Sequence, residues 1–134
     1  METRRGEFLL SNDKELIDIE AVYIMLSKTY WAASRPKEKV EKAIKNSICY
    51  GIYLDGRQIG FTRIVTDEAS FAWICDVVVD EEYRGKGLGK WMFGYAVEDE
   101  RIKGTLQLLA TKDAHELYKK FGFDYKECMF KPRD

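Results

Sequence analysis

An almost unbroken apolar run, Phe71 to Val79, passes through Asp80-Glu81-Glu82-Tyr83 into Arg84-Gly85-Lys86-Gly87-Leu88-Gly89-Lys90, and Leu88 to Arg101 then carries helical spacing. A strand apolar on both faces that turns through alternating glycines into a helix belongs in the middle of a sheet with helices packed against it. Glycines in such a turn let the backbone approach a ligand, while the helix start offers unpaired N–H groups and the positive end of its dipole. With Arg84, Lys86 and Lys90 set among Gly85, Gly87 and Gly89, the loop suits a phosphate better than a ligand-free turn. Two familiar phosphate loops do not fit. Gly85 and Gly89 are one residue too close for Gly-x-x-x-x-Gly-Lys-[Ser/Thr], and Trp91 replaces the magnesium-binding hydroxyl. A dinucleotide fingerprint starting at Gly85 or Gly87 would need its third glycine at Lys90 or Met92.

The rest of the chain fits around this unit. Glu7 to Leu10 reads as a strand, Glu15 to Lys28 as a helix with Leu16, Ile19, Tyr23 and Leu26 at helical spacing, and Pro36 to Asn46 as a second helix. From Ser47 the period becomes two: Ile48, Tyr50, Ile52 and Leu54 alternate up to Asp55-Gly56, a type I′ hairpin signal, and Gln58 to Val65 runs back. Thr105 to Ala110 reads as a strand, Asp113 to Phe121 as a helix stopped by Gly122, and Tyr125 to Phe130 as a last strand. The order is βααβββαβαβ, an α/β (α+β) fold in one domain over residues 1–134. Its 22 basic and 23 acidic residues leave no electrostatic footprint for nucleic acid or anionic lipid. No apolar stretch approaches the ~20 residues of a membrane span, and no apolar segment follows Met1-Glu2-Thr3-Arg4-Arg5 as in a signal peptide. Cys49, Cys75 and Cys128 form neither a disulfide framework nor a zinc pattern, so no metal is expected and a reducing cytoplasm fits.

The pattern Arg84-x-x-Gly87-x-Gly89, after Val77-Val78-Val79 and opening an amphipathic helix, resembles the acetyl-CoA signature of the GNAT N-acetyltransferase superfamily. Ala110-Thr111-x-x-Ala114-x-x-x-Tyr118-x-x-x-Gly122-Phe123 is similar to that family's other characteristic segment. The resemblance is strong from Phe71 to Phe123 and topological before it. It implies a small, single-domain, bacterial-type member with a mixed, mostly antiparallel central sheet flanked by four helices. Acetyl-CoA is then the co-substrate. The backbone of Val77, Val78 and Val79 would pair with its pantetheine arm, and the amides of Gly85, Lys86, Gly87, Leu88, Gly89 and Lys90, with Arg84 beside them, would hold its pyrophosphate. Thr111 would lie near the cofactor. Tyr118 would protonate, or donate to, the departing thiolate, although an aromatic at helical spacing beside Leu117 and Phe121 also reads as core.

An alkyl amine must lose a proton before it attacks, at a cost of roughly 4.6 kcal/mol at pH 7. Alternation places Asp76 on the face with Ile74 and Val78, where burial would raise its pKa and suit it as the base. Asp67, Glu68, Asp113 and His115 are rivals, with Asp113 equally readable as a helix N-cap and Asp67-Glu68 as a solvated turn. Tyr30 and Trp31, in the connection that overhangs the acceptor pocket in this family, are candidate substrate contacts together with Trp73; Arg35 is suited to an acidic group on a substrate. The implied reaction is direct transfer of acetyl to an amine of a small molecule or peptide, with no cysteine acyl-enzyme. The alternative is a non-catalytic acyl-CoA-binding or regulatory module. So short a chain leaves a homodimer open as a way to complete the acceptor pocket.

Overall fold

The computed structural model describes residues 1–133. Six strands form one sheet in the order β1-β2-β3-β4-β5-β6, antiparallel except for the last pair. They are β1 (Glu2–Arg5), β2 (Phe8–Ser11), β3 (Ile48–Leu54), β4 (Arg57–Thr66), β5 (Phe71–Val79) and β6 (Leu106–Leu108). Helices α1 (Ile19–Ser27) and α2 (Lys37–Lys45) cover one face, and α3 (Leu88–Val97), followed later by α4 (His115–Lys119), the other. Among the described residues no helix is long and apolar enough to cross a membrane.

Each face has its own core. Leu10, Ile52, Ile59, Ile64 and Ile74 pack against Leu88, Met92, Phe93 and Ala96 of α3. Phe61 and Val78 pack against Val22, Met25 and Leu26 of α1 and Val40 and Ile44 of α2. The β3–β4 hairpin is the anticipated one: Asp55 and Gly56 both have positive φ, +50° and +80°, as a type I′ turn requires. The far end of α3 is tied to β3 through Asp99, which accepts a hydrogen bond from Tyr50 Oη at 2.6 Å and two from the Arg101 guanidinium at 2.8 and 2.9 Å.

Several boundaries differ from those expected. The first helix starts at Ile19, not Glu15, because the Asp18 side chain accepts from the Ala21 amide and caps it there; Lys14–Leu16 form a separate 3-10 turn capped by Asp13. The first strand is a hairpin, β1 turning through Gly6 into β2. The Glu-Thr-Arg-Arg edge of β1 is largely exposed and carries no apolar alternation to reveal it. The expected strand Tyr125 to Phe130 is not formed. Its apolar residues Tyr125, Met129 and Phe130 are exposed, and the three-residue β6 pairs only with β5, so the alternating pattern has no partner strand to satisfy it.

Candidate active site

The loop after β5 is built to leave donors unused. The Asp80 amide donates to the Ile59 carbonyl at 2.8 Å, a short 3-10 turn follows at Glu81–Tyr83, and Arg84 Nε donates back to the Val79 carbonyl at 3.1 Å. Gly85 and Gly87 then take φ of +82° and +74°, a region that side chains with Cβ enter at a cost. A Cβ placed on Gly85 would meet no atom within 4 Å, so this side of the loop is open. Gly87 starts α3 with no side-chain cap and no acidic residue in the first turn, and Lys90 lies there instead. Among the described residues, the amides of Gly85 through Lys90 meet no acceptor. A cation at a helix start opposes the dipole, so an exposed first turn with bare amides and Lys90 is a favourable place for an anion.

The strand feeding this loop has a free edge. β5 pairs with β6 only from Phe71 to Trp73, while its other edge stays paired with β4 as far as Val79. From Ile74 onward the β6 side of β5 has no strand beside it among the described residues. The side chains of Val77 and Val79 pack toward α3, whereas Val78 is buried under α1 and α2. The side chains of Val77, Val78 and Val79 are thus used in packing, which leaves a backbone role for this stretch compatible with the fold.

A β-bulge lies midway along that free edge. Phe61 opposes Val78 but Arg63 opposes Cys75, so Asp76 and Val77 together face Thr62, and Asp76 has φ of +55°. The extra residue separates Ile74 and Val78 into different cores, so Asp76 does not share one face with both, contrary to simple alternation. Its side chain, 2% exposed, turns toward the α1–α2 connection. It accepts from Trp31 Nε1 at 3.0 Å, Arg35 Nη1 at 2.7 Å and Arg63 Nε at 2.6 Å. Arg63 Nη1 also reaches Ser47 Oγ at 3.2 Å.

The expected pKa of Asp76 is reversed. Burial pushes it up, but the charge of Arg63 and the hydrogen bonds from Arg35 and Arg63 prevail and hold the carboxyl below its ordinary value. A carboxylate so engaged is poorly suited to take a proton from an amine. Of its rivals, Asp67 is a turn residue whose carboxylate accepts the amides of Ala69, Ser70 and Phe71. Asp113 and His115 are exposed. Asp113 is not the α4 cap either: Thr111 Oγ1 accepts the Ala114 amide at 3.0 Å, which gives Thr111 a structural task at the position where cofactor contact was expected.

Tyr118 is half-buried on α4. Its ring centroid is 4.8 Å from that of Phe93, and Phe121 and Phe123 close on the same Phe93 ring at 4.9 and 5.7 Å, which fastens α4 to α3. The core reading of Tyr118 holds for its ring, while its hydroxyl makes no hydrogen bond to the described residues and is left available. Burial raises its pKa, with Tyr30 and Asp113 adding to the effect, so the phenol stays protonated at neutral pH. Tyr30 lies edge-on to Trp31 at 5.0 Å, and Lys112 Nζ is 5.3 Å from the Tyr30 ring centroid. The α1–α2 connection and the segment before α4 therefore meet beside the Asp76 cluster. Trp73 is half-buried on β5, opposite Val65 and Leu108, and donates no hydrogen bond to that cluster.

Residues that sequence reasoning did not single out complete the picture. Arg63 faces the bulge from β4. Arg5, from the unforeseen β1, lies with its guanidinium carbon 5.0 Å from the Trp91 ring centroid, and its Nη1 is 3.7 Å from where a Cβ on Gly87 would lie. Arg5, Gly87, Lys90, Trp91, Tyr95 and Phe121 line a cavity of about 620 Å³ along the outer side of α3. No group of three His, Cys, Asp or Glu side chains placed to hold a metal occurs among the described residues.

The thiols of the sheet, Cys49 and Cys75, are poor nucleophiles at neutral pH. Burial pushes both Cys49 and Cys75 up to about 11, and Cys128 is exposed outside the site. Cys75→Ala and Cys128→Ala are each expected to keep turnover within about threefold of wild type in a thiol-release assay. Abolished turnover in each of the two variants with acetyl-CoA binding intact would overturn direct attack.

A mixed sheet between two helical layers, with a glycine loop leading from a half-free strand edge into a helix, is the architecture of an acetyltransferase class. The chain belongs to the acetyltransferase (GNAT) domain family, whose model matches residues 45–125. It is 30% identical to FG08082 of Gibberella zeae, a protein assigned as an acetyltransferase, over 92% of this chain and 83% of that one. It is also 30% identical to the uncharacterized N-acetyltransferase ycf52 of Pyropia yezoensis over 87% of this chain and 70% of the relative. A crystal structure of a protein assigned to the GNAT family from Xanthomonas campestris pv. campestris superposes with a TM-score of 0.85 at 38% identity. That match covers 89% of this chain and 85% of the other. These relatives are fungal, algal and bacterial, so they do not single out a bacterial type. Family and fold together support acetyl-CoA-dependent acyl transfer in general.

Proposed function

We infer that this chain transfers the acetyl group of acetyl-CoA to the amine of a small molecule or peptide by direct attack. The observation that carries this is the run of unpaired amides from Gly85 to Lys90 at the end of the free β5 edge, with the Tyr118 hydroxyl also unengaged. A diphosphate suits the amides and the charges of Lys86, Lys90 and Arg84, and an extended amide arm suits the backbone of Val77 to Val79. The cavity beside Trp91, lined by Arg5, Lys90 and Tyr95 with Glu98 also on its wall, adjoins the loop and has room for the nucleotide end of the same molecule.

Acetyl-CoA supplies a thioester whose C–S bond breaks as the amine nitrogen bonds to the acetyl carbon. Balanced, an ammonium and the thioester become an amide, a free thiol and one proton released to water. Tyr118, protonated at neutral pH, donates to the departing sulfur and is reprotonated from solvent. Asp76 does not take the proton; it holds Trp31, Arg35 and Arg63 around the bulge and is a positioning residue. Tyr118→Phe keeps the ring packing on Phe93 and removes only the hydroxyl. It is expected to lower kcat about 10- to 100-fold, with acetyl-CoA affinity unchanged by calorimetry. Unchanged kcat would remove Tyr118 from the chemistry, and acetyl-CoA binding without amine-dependent thiol release from the wild type would favour a non-catalytic acyl-CoA binder.

A further inference from the structure

Arg35 and Arg63 share the single carboxylate of Asp76, at 2.7 and 2.6 Å, and neither has another acidic partner within ion-pair distance among the described residues. Their side chains are only 13% and 16% exposed, so an excess positive charge sits largely out of water. Such a charge is costly unless an anion joins it. Among the described residues, the only further side-chain hydrogen bond of Arg63 is to the neutral hydroxyl of Ser47, and Arg35 spends one of its guanidinium N–H groups on Asp76 and makes no other side-chain hydrogen bond. Lys112 adds a third cation over Tyr30, which packs on Trp31, which in turn donates to Asp76. Arg35 and Arg63 thus converge on Asp76 next to Trp31, and Lys112, with Asp113 following it in the chain, lies over the neighbouring Tyr30.

We propose that Arg35, Arg63 and Lys112 recognise an acidic group, carboxylate or phosphate, on the amine acceptor, so that the chain acetylates amino acids or phosphorylated amines in preference to neutral or polycationic ones. The proposal rests on the acetyl-transfer reading and names its substrate class. A guanidinium fork matches either anion in a bidentate arrangement. A polyamine would bring further positive charge into a site that already holds too much. The same charges also address the proton: cations nearby disfavour the ammonium form of a bound amine and lower its pKa, so it loses its proton to water with no strong protein base.

Matched pairs test this: β-alanine against β-alaninamide, and 2-aminoethyl phosphate against ethanolamine, with spermidine as the polycation, all read by thiol release. The acidic member of each pair is expected to have kcat/KM at least about tenfold above its neutral partner, an advantage that shrinks in 0.5 M salt. Arg35→Gln should bring the ratio close to one, and the exposed Lys112→Gln, which leaves the Asp76 cluster whole, should lower it severalfold. Inorganic phosphate titrated into the CoA-saturated protein should shift the Trp31 indole N–H resonance saturably, and less so in Lys112→Gln; this decides the matter if no amine in the panel reacts. Preference for a neutral amine or spermidine, or a Trp31 resonance indifferent to phosphate, overturns the proposal. Failure of the acetyl-CoA reading itself would show separately, as no calorimetric binding of acetyl-CoA.

Discussion

Replacing Gly87 by Glu is expected to weaken acetyl-CoA binding at least about 100-fold, or ~2.7 kcal/mol, while leaving the fold close to its original stability. Gly87 has φ of +74° and is the residue from which α3 starts. A side chain there bears a strain of about 1–2 kcal/mol. An acidic group at a helix start recovers part of that through the bare amides and the dipole. The recovery is what should destroy binding, because the carboxylate would occupy the amides proposed to hold a diphosphate and lie within reach of Arg5, whose Nη1 is 3.7 Å from the new Cβ. Gly87→Ala separates strain from charge and should cost less than about tenfold in affinity. Calorimetry on both variants, with a urea titration to confirm folding, checks this. Affinity within threefold of wild type in Gly87→Glu would remove the pyrophosphate from this loop.

Asp76→Asn is expected to have the second large effect, and of a different kind. It leaves two poorly exposed guanidiniums without a carboxylate, and breaking such a pair typically costs about 3–5 kcal/mol. Turnover should fall at least about 100-fold as Trp31 and Arg35 lose their anchor, with acetyl-CoA affinity little changed because the glycine loop is separate. The pH dependence separates positioning from base catalysis. Because the Asp76 pKa is depressed in the folded chain, its stabilising effect is complete above the ordinary carboxylate pKa of ~3.9 and is lost as pH falls through its lower folded value. The stability gap between wild type and Asp76→Asn should therefore narrow only in acid. The acid limb of kcat/KM should persist in the variant, since it reports the substrate amine. Disappearance of that limb in Asp76→Asn would make Asp76 the base after all.

Legibility in the sequence followed local rules closely. Asp55-Gly56 announced its hairpin because few other residue pairs accept two positive φ values, and both are positive in the structure. The glycine loop stood out for the opposite reason: Lys90 in an uncapped first turn breaks the rules for a stable helix start, and such breaks mark binding sites. Tyr118 stands out only through its motif, and its ring packing on Phe93 is legible from its helical spacing beside Leu117 and Phe121. Asp76 was found, but its surroundings were not. A bulge adds one residue to an apolar run without disturbing its composition, and that residue changed which face each later side chain occupies. Arg35 was noted only as a possible substrate contact, and Arg63 not at all, because an ion pair across 13 or 41 residues of sequence leaves no spacing signal. Arg5 was hidden by an all-polar edge strand. The pattern at 125–130 was read as a strand because alternation shows what a segment can pair with, not whether a partner exists.

The central claim, acetyl transfer from acetyl-CoA to an amine at the Gly85–Lys90 cradle, is tested most directly by mass spectrometry. Acetyl-CoA, an amine mixture rich in amino acids and phosphorylated amines, and the protein are incubated together while thiol release is followed. One acetylated amine formed per CoA released, no acetylated protein, and loss of both products in Gly87→Glu is the predicted result. Acetyl-CoA bound but consumed no faster with amines than without them, or CoA released at an undiminished rate by Gly87→Glu, would contradict it.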